Sequence, residues 1–244
     1  MTLFFGYNSV YDYLIPVAIS ALAWRGYYYA IGKFCPDKIL PRSYNKYEQA
    51  KSQVCSITAS LTTLTISGIC HIPKIISCFP DLSALFGQEL DDMAKLLHVI
   101  LSGYFIHDTI WCVQNKYNDA GNYFHHFISL GMFLAGLHYN NCFYETIWPL
   151  WASEISTVPL NLRFFHKMYY GKNSQALDYS FAGLFFIGRV IGGSWCIWHF
   201  CKTPGPMWIR FIGVSAWFLN SYWFYKIMEK TSSSPEKKVQ KKEE

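Results

Sequence analysis

Seven stretches of about 20 mostly apolar residues dominate this chain of 244 residues, at 13–32, 52–71, 96–114, 122–138, 142–163, 179–200 and 207–228. A helix needs roughly that length to cross the hydrocarbon core of a bilayer. In lipid each backbone N–H and C=O must be satisfied within the segment, so an apolar run of this length folds as a helix. The expected fold is therefore an all-α membrane protein with about seven transmembrane helices. The fourth and fifth are joined by a tight turn at Tyr139, Asn140 and Asn141, and the second is rich in Ser and Thr.

Composition supports this reading. Charged residues make up 15%, against about 25% in soluble domains. Aromatics reach 19%, and many Tyr and Trp lie near the ends of the apolar runs, as in interfacial belts. Mean hydropathy is only +0.11, because Tyr and Trp score poorly and the spans carry Ser, Thr, Gly and His. The pI of 8.7 comes from short basic segments, which points to membrane topology and away from nucleic acid.

The N-terminus shows no basic region followed by a cleavage site, so no removable signal peptide is expected. Thr2 excludes N-myristoylation. The eight cysteines show no CxxC and no zinc spacing, and most read as small apolar packing residues. Cys78, Cys142 and Cys201 fall near one side, where a disulfide is open.

The chain ends in Lys241-Lys242-Glu243-Glu244, a Lys-Lys-x-x tail. Such a tail is an address, read by a retrieval coat on the cytosolic face, that returns membrane proteins to the endoplasmic reticulum. It also reads as a charged disordered segment, since 231–244 has no apolar face. Seven spans and a cytosolic tail put the loops 33–51, 115–121 and 164–178 in the cytosol. The first holds Lys33, Lys38, Arg42, Lys46 and Lys51 against Asp37 and Glu48. The loop 72–95, on the lumenal side, holds Lys74 and Lys95 against Asp81, Glu89, Asp91 and Asp92. Positive residues thus favour the side that the tail requires. The segment 82–95 reads as amphipathic and is expected on the lumenal surface. Gly188 and Gly192 form a small-residue pair for close helix packing.

Ionisable groups inside a membrane are costly and usually face the bundle interior. Here they are concentrated: His107 and Asp108 in the third span, His125 and His126 opening the fourth, Glu154, Asn161 and Arg163 in the fifth, Arg189 in the sixth. Pro149 and Pro159 interrupt the fifth span's hydrogen-bond ladder. By depth, these groups fit one cavity opening toward the cytosol. A neutral imidazole there can take a proton from an amine or hydroxyl, or take an acyl group itself. Asp108 can instead simply pair with a cation, and Glu154 with Arg189 in a structural ion pair. A di-iron centre needs several His boxes, and only the tandem pair is present, so no metal is expected.

The runs Gly103-Tyr-Phe-Ile-His-Asp-Thr-Ile-Trp-Cys-Val113, Phe124-His-His-Phe127 and Glu154-Ile-Ser-Thr-Val-Pro-Leu-Asn-Leu-Arg-Phe164 together resemble the TLC domain over roughly residues 45–230. The first run looks nearest to the subgroup of TLC domain-containing protein 5. The resemblance implies six helices around a lipid-accessible cavity, preceded by an N-terminal segment 1–44 with an extra span and followed by the tail 231–244. It implies an endoplasmic reticulum membrane location and a role in lipid homeostasis, with membrane lipids as partners and no nucleic acid. Ceramide synthases of the family join a fatty acyl-CoA to a sphingoid base, while other members affect lipid composition or cargo export.

In an N-acyltransferase reading, His125 or His126 is base or acyl acceptor, and Glu154 or Asp108 orients it. His107, Asn161, Arg163 and Arg189 then line the substrate site, Arg163 and Arg189 holding a head group or CoA phosphate. Acyl-CoA is the co-substrate, and no cofactor is implied. The chain departs from ceramide synthases in one respect. Their His-Asp-x-x-Asp segment, one helix after the tandem His, is replaced by Ser153-Glu154-Ile155-Ser156-Thr157. A non-catalytic lipid-binding protein and an export adaptor that cycles with cargo are the other readings.

Overall fold

A computed structural model describes residues 10–78, 82, 85–117, 119–202 and 206–232. The tail that carries Lys241 and Lys242 lies outside them. The described residues form helices α1 (Tyr11–Phe34), α2 (Tyr47–Cys70), α3 (Ile72–Ser77), α4 (Asp92–Gln114), α5 (Ala120–Tyr139), α6 (Phe143–Tyr170), α7 (Gln175–Phe185), α8 (Gly192–Lys202) and α9 (Met207–Ser232). A π-helical segment, Phe186–Ile191, joins α7 to α8 in one continuous rod. There is no strand among the described residues.

Each of the seven apolar stretches lies on one long rod, with ends displaced by up to seven residues. Three rods, Tyr47–Cys70, Asp92–Gln114 and Gln175–Lys202, are long and apolar enough by hydropathy to cross a membrane. The Ser/Thr-rich second stretch is among them. Some of its hydroxyls fold back onto the helix, as in Thr58 to Val54 O and Thr63 to Ala59 O, and so need no outside partner.

The helix ends follow local chemistry. Asp91 accepts from Ala94 N at 2.8 Å, Asp119 from Asn122 N at 3.2 Å and Ser174 from Leu177 N at 3.4 Å, each occupying an orphan donor of the first turn. Gly171 ends α6 in the left-handed region at φ 68°. Asn140 ends α5 there too, at φ 48°, which gives the tight turn into α6.

Six rods close into a ring. In order around it, α2 packs on α4, α4 on α5, α5 on α9, α9 on the α7–α8 rod, that rod on α6, and α6 on α2. Helix α1 stands outside and packs on α4, with Ser20 and Trp24 donating to Ile100 O. Gly103 allows this approach, since a Cβ there would collide with Ser20. Gly188 serves the α6 contact in the same way, because its Cβ would meet Ala152 O. Gly192 makes no such approach, so one glycine of the expected pair does the packing.

The outward faces are apolar. Ile15, Leu22, Leu61, Phe127, Ile187 and Phe211 are all exposed. Such a belt suits lipid as solvent. The segment 82–91 departs from expectation. Leu82, Leu85 and Leu90 are 3%, 1% and 3% exposed, and Phe86 packs on Tyr144 and Phe200. Its apolar side chains close one end of the bundle, because burial against Tyr144 and Phe200 removes more of them from water than the surface would. All eight cysteines, Cys78, Cys142 and Cys201 included, are free thiols.

Candidate functional site

The ring encloses a pocket of about 810 Å³. It lies toward the end where α2, α5 and α7 begin and α4, α6 and α9 finish, with Gln49, Tyr117, Asn122, Gln175 and Lys230 around that end. Of the eight residues singled out from sequence, Asp108, His125, His126, Glu154, Asn161, Arg163 and Arg189 line it. His107 does not. It is 1% exposed, turned toward α1 with its ring 5.4 Å from that of Tyr28, and neither ring nitrogen has a hydrogen-bond partner.

Asp108 and His126 meet across the α4–α5 contact, with Oδ2 3.2 Å from Nε2. Ser52 donates to Asp108 Oδ1 at 3.1 Å. On the other side of the imidazole, Nδ1 lies 3.0 Å from Thr109 Oγ1, and that hydroxyl donates its proton to Phe105 O at 2.7 Å. A hydroxyl has one proton. Thr109 can therefore only accept from His126, and Nδ1 carries the imidazole hydrogen. Nε2 faces the Asp108 carboxylate, with a lone pair in the neutral ring and with a second N–H in the imidazolium.

His125 takes a different environment. It sits between the rings of Phe105 and Trp223, at 5.4 and 5.5 Å, with Ser129 Oγ 3.4 Å from Nδ1. It is on the pocket wall, and the ion pair with Asp108 belongs to its neighbour His126.

Arg189 does not pair with Glu154 in contact. Its guanidinium reaches α6 and α9, donating to Ser156 Oγ at 3.0 Å, Ser153 O at 3.1 Å, Thr157 Oγ1 at 2.9 Å and Asn220 Oδ1 at 3.3 Å. It also lies over the Phe185 ring at 5.1 Å. Glu154 accepts from Ser60 on the opposite wall. Neutral acceptors thus hold the cation, and the acid stays available to the pocket. Arg189 belongs to the π-helical segment, an irregularity frequent at functional sites.

Asn161 is 1% exposed and donates to Ser56 Oγ and Thr157 O, which ties α6 to α2. Arg163 pairs with Asp178 through Nε at 2.5 Å and lies over the Phe181 ring at 4.9 Å, on the pocket wall. Sequence reading missed Ser52, Thr109, Cys112 and Asp178. The i, i+4 spacing of Asp108 and Cys112 was legible, but their approach to His126 needed the α4–α5 packing.

The chain's residues 49–229 match the model of the TLC domain. The chain belongs to the TLC-domain family. The TLC domain is a membrane domain, so the protein is an all-helical membrane protein of a lipid-related family. A relative from Dictyostelium discoideum, TLC domain-containing protein 4 C, is 30% identical in an alignment of 163 positions that covers 60% of this chain and 59% of that protein. The chain thus matches less than two thirds of that relative's length. No solved structure matches it.

Proposed function

We propose that the protein binds or modifies a long-chain lipid within the six-helix ring, in the endoplasmic reticulum membrane, and so acts in membrane lipid homeostasis. The observation that carries this reading is the pocket itself. Its lining offers Phe105, Leu150, Phe181 and Phe185 to an acyl chain, and His125, Glu154 and Arg189 to a head group. Pockets of this size hold ligands by apolar walls with a few placed polar groups. All seven rods span the bilayer, and the end of the ring that holds the pocket faces the cytosol with the C-terminus. Loop 33–51 then keeps its basic excess on that side. The 103–113 run is consistent with the subgroup of TLC domain-containing protein 5.

A second reading, N-acyl transfer from acyl-CoA, is favoured by the tandem His on the pocket wall. His125 has an environment suited to a neutral imidazole, and Glu154 supplies a carboxylate in the same chamber. The reconstituted protein, offered a panel of acyl-CoAs with long-chain bases, tests it beside a folded His125→Ala/His126→Ala double variant. Product from the wild type alone establishes the enzyme. Copurified lipid with no product from either supports binding without chemistry. Neither lipid nor product overturns the proposal.

The location is tested separately. With Lys241→Ser and Lys242→Ser together, the protein is expected to leave the endoplasmic reticulum. Unchanged localisation would remove the retrieval coat as a partner. A lipid effect that survives the relocalisation would argue against an export adaptor.

A further inference from the structure

We propose that Asp108, Cys112 and His126 form a binding site for a divalent transition metal, of the zinc type. Their ligand atoms, a carboxylate oxygen, Sγ and an imidazole nitrogen, all lie within 4.8 Å of one another. Asp108 and Cys112 are i, i+4 on α4 and so share one face, and His126 meets them from α5. No metal was expected from the sequence, because spacing along the chain does not reveal ligands from two packed helices.

The hydrogen-bond chain argues for a cation here. Phe105 O, Thr109 Oγ1 and His126 Nδ1 place the imidazole hydrogen away from Asp108. Nε2 then faces Asp108 Oδ2 at 3.2 Å, and in the neutral ring it offers a lone pair beside that carboxylate. A metal cation between them takes the place that a proton on Nε2 would otherwise occupy. Two ligands each about 2.0–2.2 Å from a tetrahedral zinc stand roughly 3.3–3.6 Å apart, close to the observed 3.2 Å. The outer contacts are also those of a metal ligand. Nδ1–H is held by Thr109, and Cys112 Sγ accepts from Asn122 Nδ2 at 3.5 Å.

Charge agrees. On binding, the Cys112 thiol gives its proton to water, and the thiolate and carboxylate together neutralise a 2+ ion. A net-neutral assembly suits the interior of a membrane bundle, where an isolated charge is costly. Oxygen, nitrogen and sulfur in one set favour Zn²⁺ over Mg²⁺ or Ca²⁺. Three protein ligands leave a fourth position on the pocket side, and Tyr117 and Asn122 mark an entry path from the mouth. The proposal does not depend on acyl transfer, since its test reads the metal and not a product.

The full-length protein, purified in detergent without added metal, is expected to carry one zinc per chain. After chelation, Co²⁺ should restore one site with a thiolate-to-cobalt charge-transfer band that Zn²⁺ displaces. Cys112→Ser should abolish the band, and Cys196→Ser should leave it intact. Thr109→Val should weaken binding by about 10–100-fold, as loss of an outer-shell partner does. X-ray absorption at the zinc edge of the wild type should show one sulfur neighbour, a result that needs no variant to fold. A sulfur-free coordination sphere, substoichiometric metal, or a charge-transfer band unchanged in Cys112→Ser overturns the proposal.

Discussion

Thr109 Oγ1 lies 3.0 Å from His126 Nδ1, and this contact decides which face of the imidazole is basic. Because Thr109 passes its own proton to Phe105 O, Nδ1 is a donor and Nε2 is the atom left to face Asp108, with a lone pair in the neutral ring. The same contact sets what a substitution at Asp108 should do. In Asp108→Asn, the amide oxygen can still accept from Ser52, and the amide N–H can donate to Nε2. With His126 neutral, metal-free Asp108→Asn should therefore melt at or above the wild type. Asp108→Ala leaves Ser52 and His126 without that partner and should cost about 1–3 kcal/mol. Tryptophan fluorescence during heating in detergent measures both, and a larger loss for Asn than for Ala would contradict the assigned tautomer.

Arg189 ties three helices through four hydrogen bonds from one fork. A lysine carries the same charge but cannot place donors on Ser156, Thr157 and Asn220 together. Arg189→Lys is expected to lower stability by about 1–3 kcal/mol, close to the loss in Arg189→Met. Full retention of melting temperature in the lysine variant would show that charge alone matters there.

At Gly188 and Gly192 the same mutation should have opposite signs. An alanine at 188 meets the carbonyl of Ala152, a backbone atom that cannot rotate away, and should cost about 1–3 kcal/mol. At 192 the nearest atom to a new Cβ is Ile187 O at 3.4 Å, an ordinary contact. Gly192→Ala should then stabilise, by up to about 1 kcal/mol, because alanine is the better helix former. Equal effects at both positions, read from parallel melting curves, would sink the close-packing assignment.

The helices were legible because lipid imposes one solution on a long apolar run, and depth along each run placed the polar groups between mid-membrane and the cytosolic end, within reach of one cavity. What sequence could not supply was rotation about each helix axis. His107 and Asp108 are neighbours, yet adjacent residues on a helix point about 100° apart. One faces α1 and the other the pocket, and only packing tells which. Arg163 illustrates a second gap. Its partner Asp178 lies across the α6–α7 turn, and a reading of single spans does not join them. The leucines at 82, 85 and 90 show a third, since amphipathic spacing fits a surface helix and a bundle plug equally well.

The plugged end carries its own pH dependence through Asp91, which lies before α4. Burial pushes its carboxyl up, but hydrogen bonds from His71 and Ala94 N–H outweigh that and leave it below the usual carboxylate range. A depressed folded value means the unfolded chain binds the proton first as pH falls. The stabilisation from Asp91 is thus fully present above the unfolded carboxylate value of about 3.9, and is lost as pH drops through the folded one. Melting temperature should fall with acidification in that window. Asp91→Asn isolates the charge, because asparagine caps a helix about as well as aspartate. The variant should start lower at neutral pH and show a flatter slope below pH ~4. Parallel slopes for the two proteins would mean that other carboxylates govern the acid limb and that the His71 contact contributes no charge-dependent stability.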